Sequence, residues 1–260
     1  MLRMSNVTHI HCQGTPLQTT ALRNVSLRLH PGDFACVVGP NGSGKSSLLG
    51  IVSGVHQPVA GSVSIGGRIV NGLPHHRRAA DIGMVFQNPL QGTCPSMTVE
   101  ENLALACLRG KPYGLSWLLA KHRRSQLRER LAQLALGLED RLHSRVGLLS
   151  GGQRQALTLL MATLARPKLL LLDEHTAALD PATAERVIQL TRDLVGQQGL
   201  TTLMVTHSLE QALTLGNRLI MLRAGEIVLN LHQEQKARLT VERLRQEFSP
   251  RAAHDQQVSM

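Results

Sequence analysis

The chain carries GPNGSGKS at residues 39–46, directly after the apolar run FACVV at residues 34–38. This stretch fits the pattern G-x-x-x-x-G-K-[ST], in which glycine amides point at phosphates, the lysine reaches the outer phosphates and the hydroxyl holds Mg²⁺. The apolar run predicts a buried strand, and residues 47–52 can begin a helix. These flanks favour a phosphate-binding loop over a glycine-rich turn that binds nothing. The residues predicted to hold the nucleotide phosphates are Gly39, Pro40, Asn41, Gly42, Ser43, Gly44, Lys45, Ser46 and Ser47.

A second candidate phosphate-binding loop is LSGGQ at residues 149–153, about 110 residues further along the chain. Ser150 is a good N-cap, and residues 153–165 form a glycine-free run that favours a helix. A plain capped helix would need only the serine, so the two glycines favour close approach of an anion to the helix end. The residues predicted to bind here are Ser150, Gly151, Gly152 and Gln153. Two such loops imply either two sites in each chain or one site shared between two chains.

Two carboxylates close the apolar run LLLLDE at residues 169–174. Such a run is typical of a parallel strand buried on both faces, and ligands bind at the carboxyl ends of these strands. We expect Asp173 to hold Mg²⁺ and Glu174 to orient or deprotonate an attacking water. The alternative is an acidic pair that only caps a helix. His207 follows another apolar run, at residues 202–206, and by itself would be an ordinary surface or core histidine.

Together these motifs resemble those of the ATP-binding cassette (ABC) ATPases, and the resemblance runs from about Ser5 to Leu229. In chain order its motifs are GPNGSGKS, Gln87 after the apolar run 82–86, LSGGQ, LLLLDE, ALD at residues 178–180, and His207. The resemblance implies an α/β fold: a P-loop NTPase core with a mainly parallel sheet, an antiparallel β lobe and a helical insertion. It implies an ATPase domain over residues 1–230 with a helical subdomain at about 89–165. Residues 231–260 would then be a C-terminal helix and a flexible tail.

The family resemblance also implies how the chain works. Two cassettes would pack head to tail as a homodimer, with each ATP held by the phosphate loop of one chain and LSGGQ of the other. Gln87 would sense the nucleotide and its Mg²⁺, Asp180 would cross the dimer interface, and His207 would contact the terminal phosphate. The chain would be a peripheral subunit on the cytoplasmic face of the inner membrane. Its partners would be an integral membrane permease and an extracytoplasmic solute-binding protein, most simply in a bacterial importer.

Two positions depart from the common family pattern. The aromatic residue that usually stacks on adenine is His11 here, and an imidazole offers less surface for stacking. His175 stands where the family usually has proline, within DEHTAALDP at residues 173–181. This second variant resembles a subgroup of bacterial cassettes that accompany a permease and a lipoprotein-like binding protein. Some of its members are associated with aromatic amino acids.

Composition bears on the alternative functions. The formal net charge of +10 would suit nucleic acid or an anionic membrane surface. With one Trp, one Tyr and three Phe, the chain offers little for stacking on single-stranded bases, and we expect no nucleic-acid partner. An ABC ATPase that acts on DNA or the ribosome is the alternative, but such proteins usually carry a coiled coil, a second cassette or zinc cysteines. The four cysteines show no paired C-x-x-C spacing and predict reduced thiols.

Two further features of the sequence bear on contact with a membrane or a transport partner. No uninterrupted apolar stretch approaches the 18 or more residues of a membrane helix, so we expect no membrane span. Residues 111–117 hold the only Tyr and Trp of the chain, which predicts either a docking surface for a transport partner or a small core.

Overall fold

The computed structural model describes residues 1–110 and 121–248 of the chain. The chain divides into two compact units. The first unit combines Met1–Gly72 with Leu203–Met260, and the second is Leu73–Thr202. None of the helices in the described part combines the length and the apolar character that crossing a membrane requires.

The strands are β1 (Leu2–His11), β2 (Thr19–Leu29), β3 (Phe34–Val38), β4 (Ala60–Ile65), β5 (Arg68–Ile69), β6 (Ile82–Val85), β7 (Leu169–Asp173), β8 (Thr201–Val205), β9 (Arg218–Arg223) and β10 (Glu226–His232). The α-helices are α1 (Lys45–Ser53), α2 (His75–Arg78), α3 (Val99–Cys107), α4 (Lys121–Ala132), α5 (Gly151–Leu164), α6 (Pro181–Gln198), α7 (Leu209–Thr214), α8 (Gln233–Lys236) and α9 (Val241–Phe248). Short 3₁₀ turns cover Pro89–Gly92 and Val146–Leu148.

The first unit contains an antiparallel lobe with strand order β2-β1-β4-β5. Leu2 on β1 pairs with Leu29 on β2 and with Ile65 on β4. Leu2 and Met4 are buried while Arg3 between them is exposed. This alternation is typical of a sheet that packs one face on a core.

The first unit also contains strands in the order β10-β9-β3-β8. β3 is parallel to β9, and all five of its residues are buried, as expected for a central strand covered on both faces. β9 and β10 form an antiparallel hairpin that turns at Ala224 and Gly225, both with positive φ.

The second unit pairs β6 with β7 in parallel, with Ile82 opposite Leu169 and Val85 opposite Leu172. The first four residues of β7 are buried, and Asp173 at its end is partly exposed. Helix α5 packs against both α3 and α6 in this unit. The predicted mixture of parallel strands, an antiparallel lobe and a helix-rich segment is confirmed.

Helix α4 ends at Ala132, shortly before Ala135 adopts a left-handed backbone conformation with φ of 51°. All four cysteines are free, as predicted. The two interpretations of residues 111–117 and the predicted tail beyond residue 248 lie outside the described residues.

Candidate nucleotide site

The phosphate loop joins β3 to α1 in the first unit. Lys45 is the first residue of α1 and is 6% exposed, which is rare for a lysine. Its Nζ donates hydrogen bonds to the carbonyl oxygens of Gly39 at 2.8 Å and Pro40 at 3.1 Å. The lysine thus lies across the concave side of the loop, where a phosphate would meet a positive charge and the N-terminus of a helix.

Two glycines of this loop are required by their neighbours. A Cβ on Gly39 would lie 2.2 Å from the Leu222 carbonyl oxygen, and one on Gly44 would lie 2.4 Å from that of Ala21. Gly44 also has φ of 103°, where other residues are strained. Gly42 differs, because it has positive φ but no atom within 4 Å of its Cβ position. Its backbone therefore leaves open space beside the loop.

The hydroxyl of Ser43 supports an anion site at this loop. It is 2% exposed, and its Oγ has no hydrogen-bond partner among the described residues. A buried hydroxyl normally finds a partner, and an unsatisfied one is costly. A phosphate oxygen would accept the hydrogen that this hydroxyl offers. The backbone around it is held by the Gly225 amide, which donates to the Ser43 carbonyl oxygen at 3.0 Å.

His207 follows β8, which lies next to β3 in the sheet. The Thr206 amide donates to the Val37 carbonyl oxygen at 3.2 Å, so the two strands end together. Because Gly39 begins the phosphate loop just after Val37, the first unit brings the exposed His207 to the same edge as the loop. Thr206 Oγ1 donates to Gln211 and accepts from the Ser208 amide, which fixes the backbone on either side of the histidine.

His11, the predicted base-stacking residue, lies beside the phosphate loop. Its Nε2 is 3.0 Å from Ser47 Oγ, within hydrogen-bond distance. The ring also contacts His9 and His56, which form a cluster with it that sequence reasoning missed. Burial lowers the pKa of both His9 and His56, so these imidazoles are held neutral near pH 7.

In the second unit, the LSGGQ loop forms the N-terminus of α5. Ser150 is the N-cap: its Oγ accepts from the Gln153 amide, and Gln153 Oε1 accepts from the Ser150 amide. This reciprocal capping box confirms the predicted helix start. Gln153 Nε2 also donates to the Leu136 carbonyl oxygen at 3.1 Å. The glutamine is therefore held on both sides, and the loop is preorganised.

The two glycines of this loop have different neighbours. A Cβ on Gly152 would lie 2.1 Å from Thr183 Cγ2, whereas one on Gly151 would meet only Leu179 Cδ2, at 3.4 Å. Close packing against α6 therefore accounts for Gly152 within one chain, and its predicted approach to a phosphate stays a prediction. Gly151 has no such constraint from the protein, and the argument for ligand approach rests on it.

The two carboxylates lie at the carboxyl end of β7, as predicted. Asp173 is its last residue, and Glu174 has φ of 44° in the left-handed region that few side chains adopt. Such strained positions cluster at functional sites, where the neighbouring structure holds them. No sequence pattern signalled this backbone conformation at Glu174.

His175 holds this acidic segment to α6. It is 2% exposed, and its Nε2 lies 2.9 Å from Thr191 Oγ1, whose hydroxyl hydrogen is donated to Val187. The hydroxyl must therefore accept from the imidazole, which places a hydrogen on Nε2. Burial lowers the pKa of His175 to about 4. This neutral, buried histidine occupies the position where the family usually has proline.

Gln87 is exposed just beyond β6, and a second glutamine supports its segment. Gln155 on α5 is 1% exposed and donates from Nε2 to the Phe86 carbonyl oxygen at 3.1 Å. This bond ties the residue preceding Gln87 to the helix that begins with LSGGQ. Gln155 was not predicted from the sequence, because it follows two other polar residues, Gln153 and Arg154, at the start of the helix.

Asp180 is the N-cap of α6, and its Oδ1 accepts from the Thr183 amide at 3.1 Å. Hydrogen bonds from Thr183 lower the pKa of this carboxyl. A capping role thus accounts for Asp180 within one chain, and its predicted place at a dimer interface stays a prediction.

Known proteins share this arrangement. The family model described as ABC transporter matches residues 22–177. A tyrosine transport ATP-binding protein from Clostridioides difficile is 44% identical over 95% of this chain and 98% of its own. A lipoprotein-releasing system ATP-binding protein, LolD 1, from Rhodospirillum rubrum is 36% identical over 87% of this chain and 97% of its own.

A solved structure is similar along most of the chain. It is the dimeric, post-hydrolysis form of the ATP-binding cassette MJ0796 bound to ADP and Pi. Its TM-score is 0.76 at 32% identity, over 90% of this chain and 99% of that one. The predicted family and fold are confirmed, and the chain belongs to the ABC transporter family as one of its ATP-hydrolysing subunits.

Proposed function

We propose that this chain is the nucleotide-binding subunit of a bacterial ABC importer, which energises a separate membrane permease through ATP-driven closure of a homodimer. The observation that carries the proposal is that only one of the two loops contains a basic side chain. Residues 39–46 include a buried lysine, whereas residues 149–153 form a capped helix N-terminus that contains no lysine or arginine. The next residue, Arg154, donates to the Leu149 carbonyl oxygen at 2.9 Å. A triphosphate bound on the first loop and completed by the second loop of another copy would link two chains.

The residues fit ATP and Mg²⁺ in chemical character. The unpartnered Ser43 Oγ and the open space at Gly42 suit phosphate oxygens. Magnesium prefers oxygen ligands, and Ser46, Gln87 and Asp173 would supply them. Base recognition would rest on His11, which is partly exposed and lies beside Ser47.

Three side chains would contribute to ATP hydrolysis and its coupling to transport. Glu174 would orient or deprotonate the attacking water, His207 would contact the terminal phosphate, and Gln87 would report the nucleotide to the permease. Loss of the γ-phosphate would weaken the link between chains. ATP can shift the open and closed states only by its differential affinity for them, and converting a 1:99 ratio to 99:1 takes roughly 5.5 kcal/mol. Two shared sites can meet that demand.

The name of one relative supports the solute class, and a methionine import ATP-binding protein, 33% identical to this chain, supports the direction. The tyrosine transport relative is more similar to this chain than the lipoprotein-releasing one. We therefore favour import of an aromatic amino acid, delivered by an extracytoplasmic binding protein. The chain would lie on the cytoplasmic face of the inner membrane, held there by the permease.

Dimer closure is tested with Glu174→Gln. The variant should bind ATP, hydrolyse it at least about 100-fold more slowly and accumulate as an ATP-dependent dimer, because positioned bases contribute roughly 10²–10⁴-fold. Turnover and size-exclusion chromatography with and without Mg-ATP measure both effects. Glu185→Gln, on the exposed face of α6, is the matched control and should behave like the parent. Parental turnover by Glu174→Gln would refute the role of this residue.

The transport partner is tested by affinity purification of the tagged chain from detergent-solubilised native membranes, with mass spectrometry of what remains bound. The proposal predicts a multi-span permease, accompanied by a binding protein that takes up an aromatic amino acid in a radiolabel assay. Recovery of only soluble or nucleic-acid-bound proteins would contradict it. A permease of the lipoprotein-releasing kind would reverse the proposed direction.

A further inference from the structure

Three histidines of the first unit converge beside the phosphate loop. His9 and His11 lie on β1, and His56 follows α1. Their ring centroids are 4.6 Å (His9–His11), 4.9 Å (His9–His56) and 5.3 Å (His11–His56) apart. One ring nitrogen from each lies within 4.8 Å of the others. This histidine cluster has no part in the function proposed above beyond the stacking role of His11.

His9 is the fixed member of the histidine cluster. It is 7% exposed, and its Nδ1 lies 3.1 Å from the Gln57 carbonyl oxygen. A carbonyl oxygen only accepts, so Nδ1 carries the hydrogen and Nε2 carries a lone pair. That Nε2 is buried without a hydrogen-bond partner among the described residues. A metal-binding imidazole is typically held in this way, by a backbone carbonyl at one nitrogen with the other nitrogen directed at the ion.

The other two rings can move toward His9. Both His11 and His56 are partly exposed. The His56 ring lies on α1 at Gly50, where a Cβ would come 2.3 Å from its Cδ2, and its amide donates to the Gly50 carbonyl oxygen at 3.0 Å. The glycine thus leaves room for this imidazole to reach the histidine cluster. Tetrahedral ligand nitrogens at zinc–nitrogen distances of about 2.0–2.1 Å are roughly 3.3 Å apart. To reach that spacing, the His56 ring would turn out of its stacked arrangement on His9, and the His11 ring would turn away from Ser47 Oγ, which lies 3.0 Å from its Nε2.

We propose that His9, His11 and His56 bind a transition-metal ion of the Zn²⁺ or Co²⁺ type through three imidazole nitrogens, with a fourth position left to solvent. Three nitrogen ligands without a carboxylate suit these ions, whereas Mg²⁺ and Ca²⁺ prefer oxygen. This site is separate from the magnesium ligands proposed for catalysis.

Binding is tested on the purified full-length chain after tag removal, by titration with Co²⁺ and with Zn²⁺ in excess Mg²⁺. The proposal predicts one ion per chain by calorimetry and a visible Co²⁺ absorption typical of tetrahedral nitrogen coordination. His56→Gln should weaken binding by on the order of 100-fold, since even outer-shell substitutions cost 10–100-fold. His9→Gln should do the same. Because His9 is buried, the partly exposed His56 carries the test if the His9 variant misfolds by circular dichroism.

Two matched controls keep the result specific. His30→Gln, at an exposed position in the same unit, should retain full binding. The double variant His75→Gln/His76→Gln should also retain it. This control distinguishes binding at the histidine cluster from binding at two exposed histidines that are consecutive in the sequence. Absence of saturable one-to-one binding in the parent would overturn the proposal. So would binding that survives His56→Gln or disappears in the His75/His76 double variant.

Discussion

The phosphate loop of the first unit and the LSGGQ loop of the second both present a helix N-terminus, but they are built differently. In the phosphate loop, Lys45 lies across the loop, and the buried hydroxyl of Ser43 has no hydrogen-bond partner among the described residues. In the LSGGQ loop, Ser150 and Gln153 satisfy each other's amides. We therefore predict that the first loop holds the triphosphate and that the second loop completes the site from another copy of the chain.

The largest effect should follow from removing the cation of the phosphate loop. Lys45→Ala should weaken ATP binding by roughly 10–100-fold, because hydrogen bonds to charged groups contribute about 1.5–3 kcal/mol. Equilibrium binding of a fluorescent ATP analogue measures this loss. Ser150→Ala is the comparison and should leave binding to the isolated chain within about twofold. Equal losses of ATP affinity in the two variants would mean that both loops contribute equally to ATP binding by the isolated chain.

The next effect separates the two glycines of the LSGGQ loop. Gly152→Ala should lower the free energy of unfolding by about 1–3 kcal/mol, because Thr183 is β-branched and cannot easily turn away from the new methyl group. Gly151→Ala should change stability little, since its Cβ would make an ordinary contact. Denaturant unfolding of both variants tests the contrast. If Gly151→Ala were the more destabilising, the assignment of packing to Gly152 would be wrong.

Acid should destabilise the second unit through His175. Burial lowers its pKa to about 4 in the folded chain, compared with about 6.5 in the unfolded chain. Between these two values, the unfolded chain binds a proton at this histidine and the folded chain does not. Stability from this group is complete above pH 6.5 and falls as the pH drops toward 4, by about 2 kcal/mol at pH 5. Denaturant unfolding of the parent and of His175→Asn at pH 7 and pH 5 tests this. The variant should lose less stability on acidification, and an equal loss would assign the pH dependence to other groups.

The smallest effect concerns the helix cap. Ser150→Ala should lower the free energy of unfolding by about 1 kcal/mol, as expected for loss of an N-cap hydrogen bond. Thermal unfolding of the isolated chain measures it. Ser150→Thr retains the hydroxyl and should recover most of the stability, whereas no difference between Ala and Thr would argue against the capping role.

Local patterns predicted much of the fold and the site. The strand, loop and helix around Lys45 and the capped helix at Ser150 follow from residues adjacent in sequence, and the structure places them as expected. Features that depend on distant residues could not be predicted in this way. His56 meets His9 only because α1 returns the chain to β1, and the Thr183 contact with Gly152 exists only once α5 and α6 pack. The left-handed backbone at Glu174 likewise has no sequence signal, because glutamate rarely adopts it.

The sharing of one site between two chains is tested most directly by mixing two defective variants. Lys45→Ala removes the cation of the phosphate loop, and Ser150→Arg blocks the LSGGQ loop. If the site is shared, a mixed dimer contains one intact site and one with both defects. Random pairing in a two-fold dimer then restores turnover to about one quarter of the parental value, although each variant alone is inactive. Turnover in the mixture no greater than the sum of the two variants would contradict the shared site.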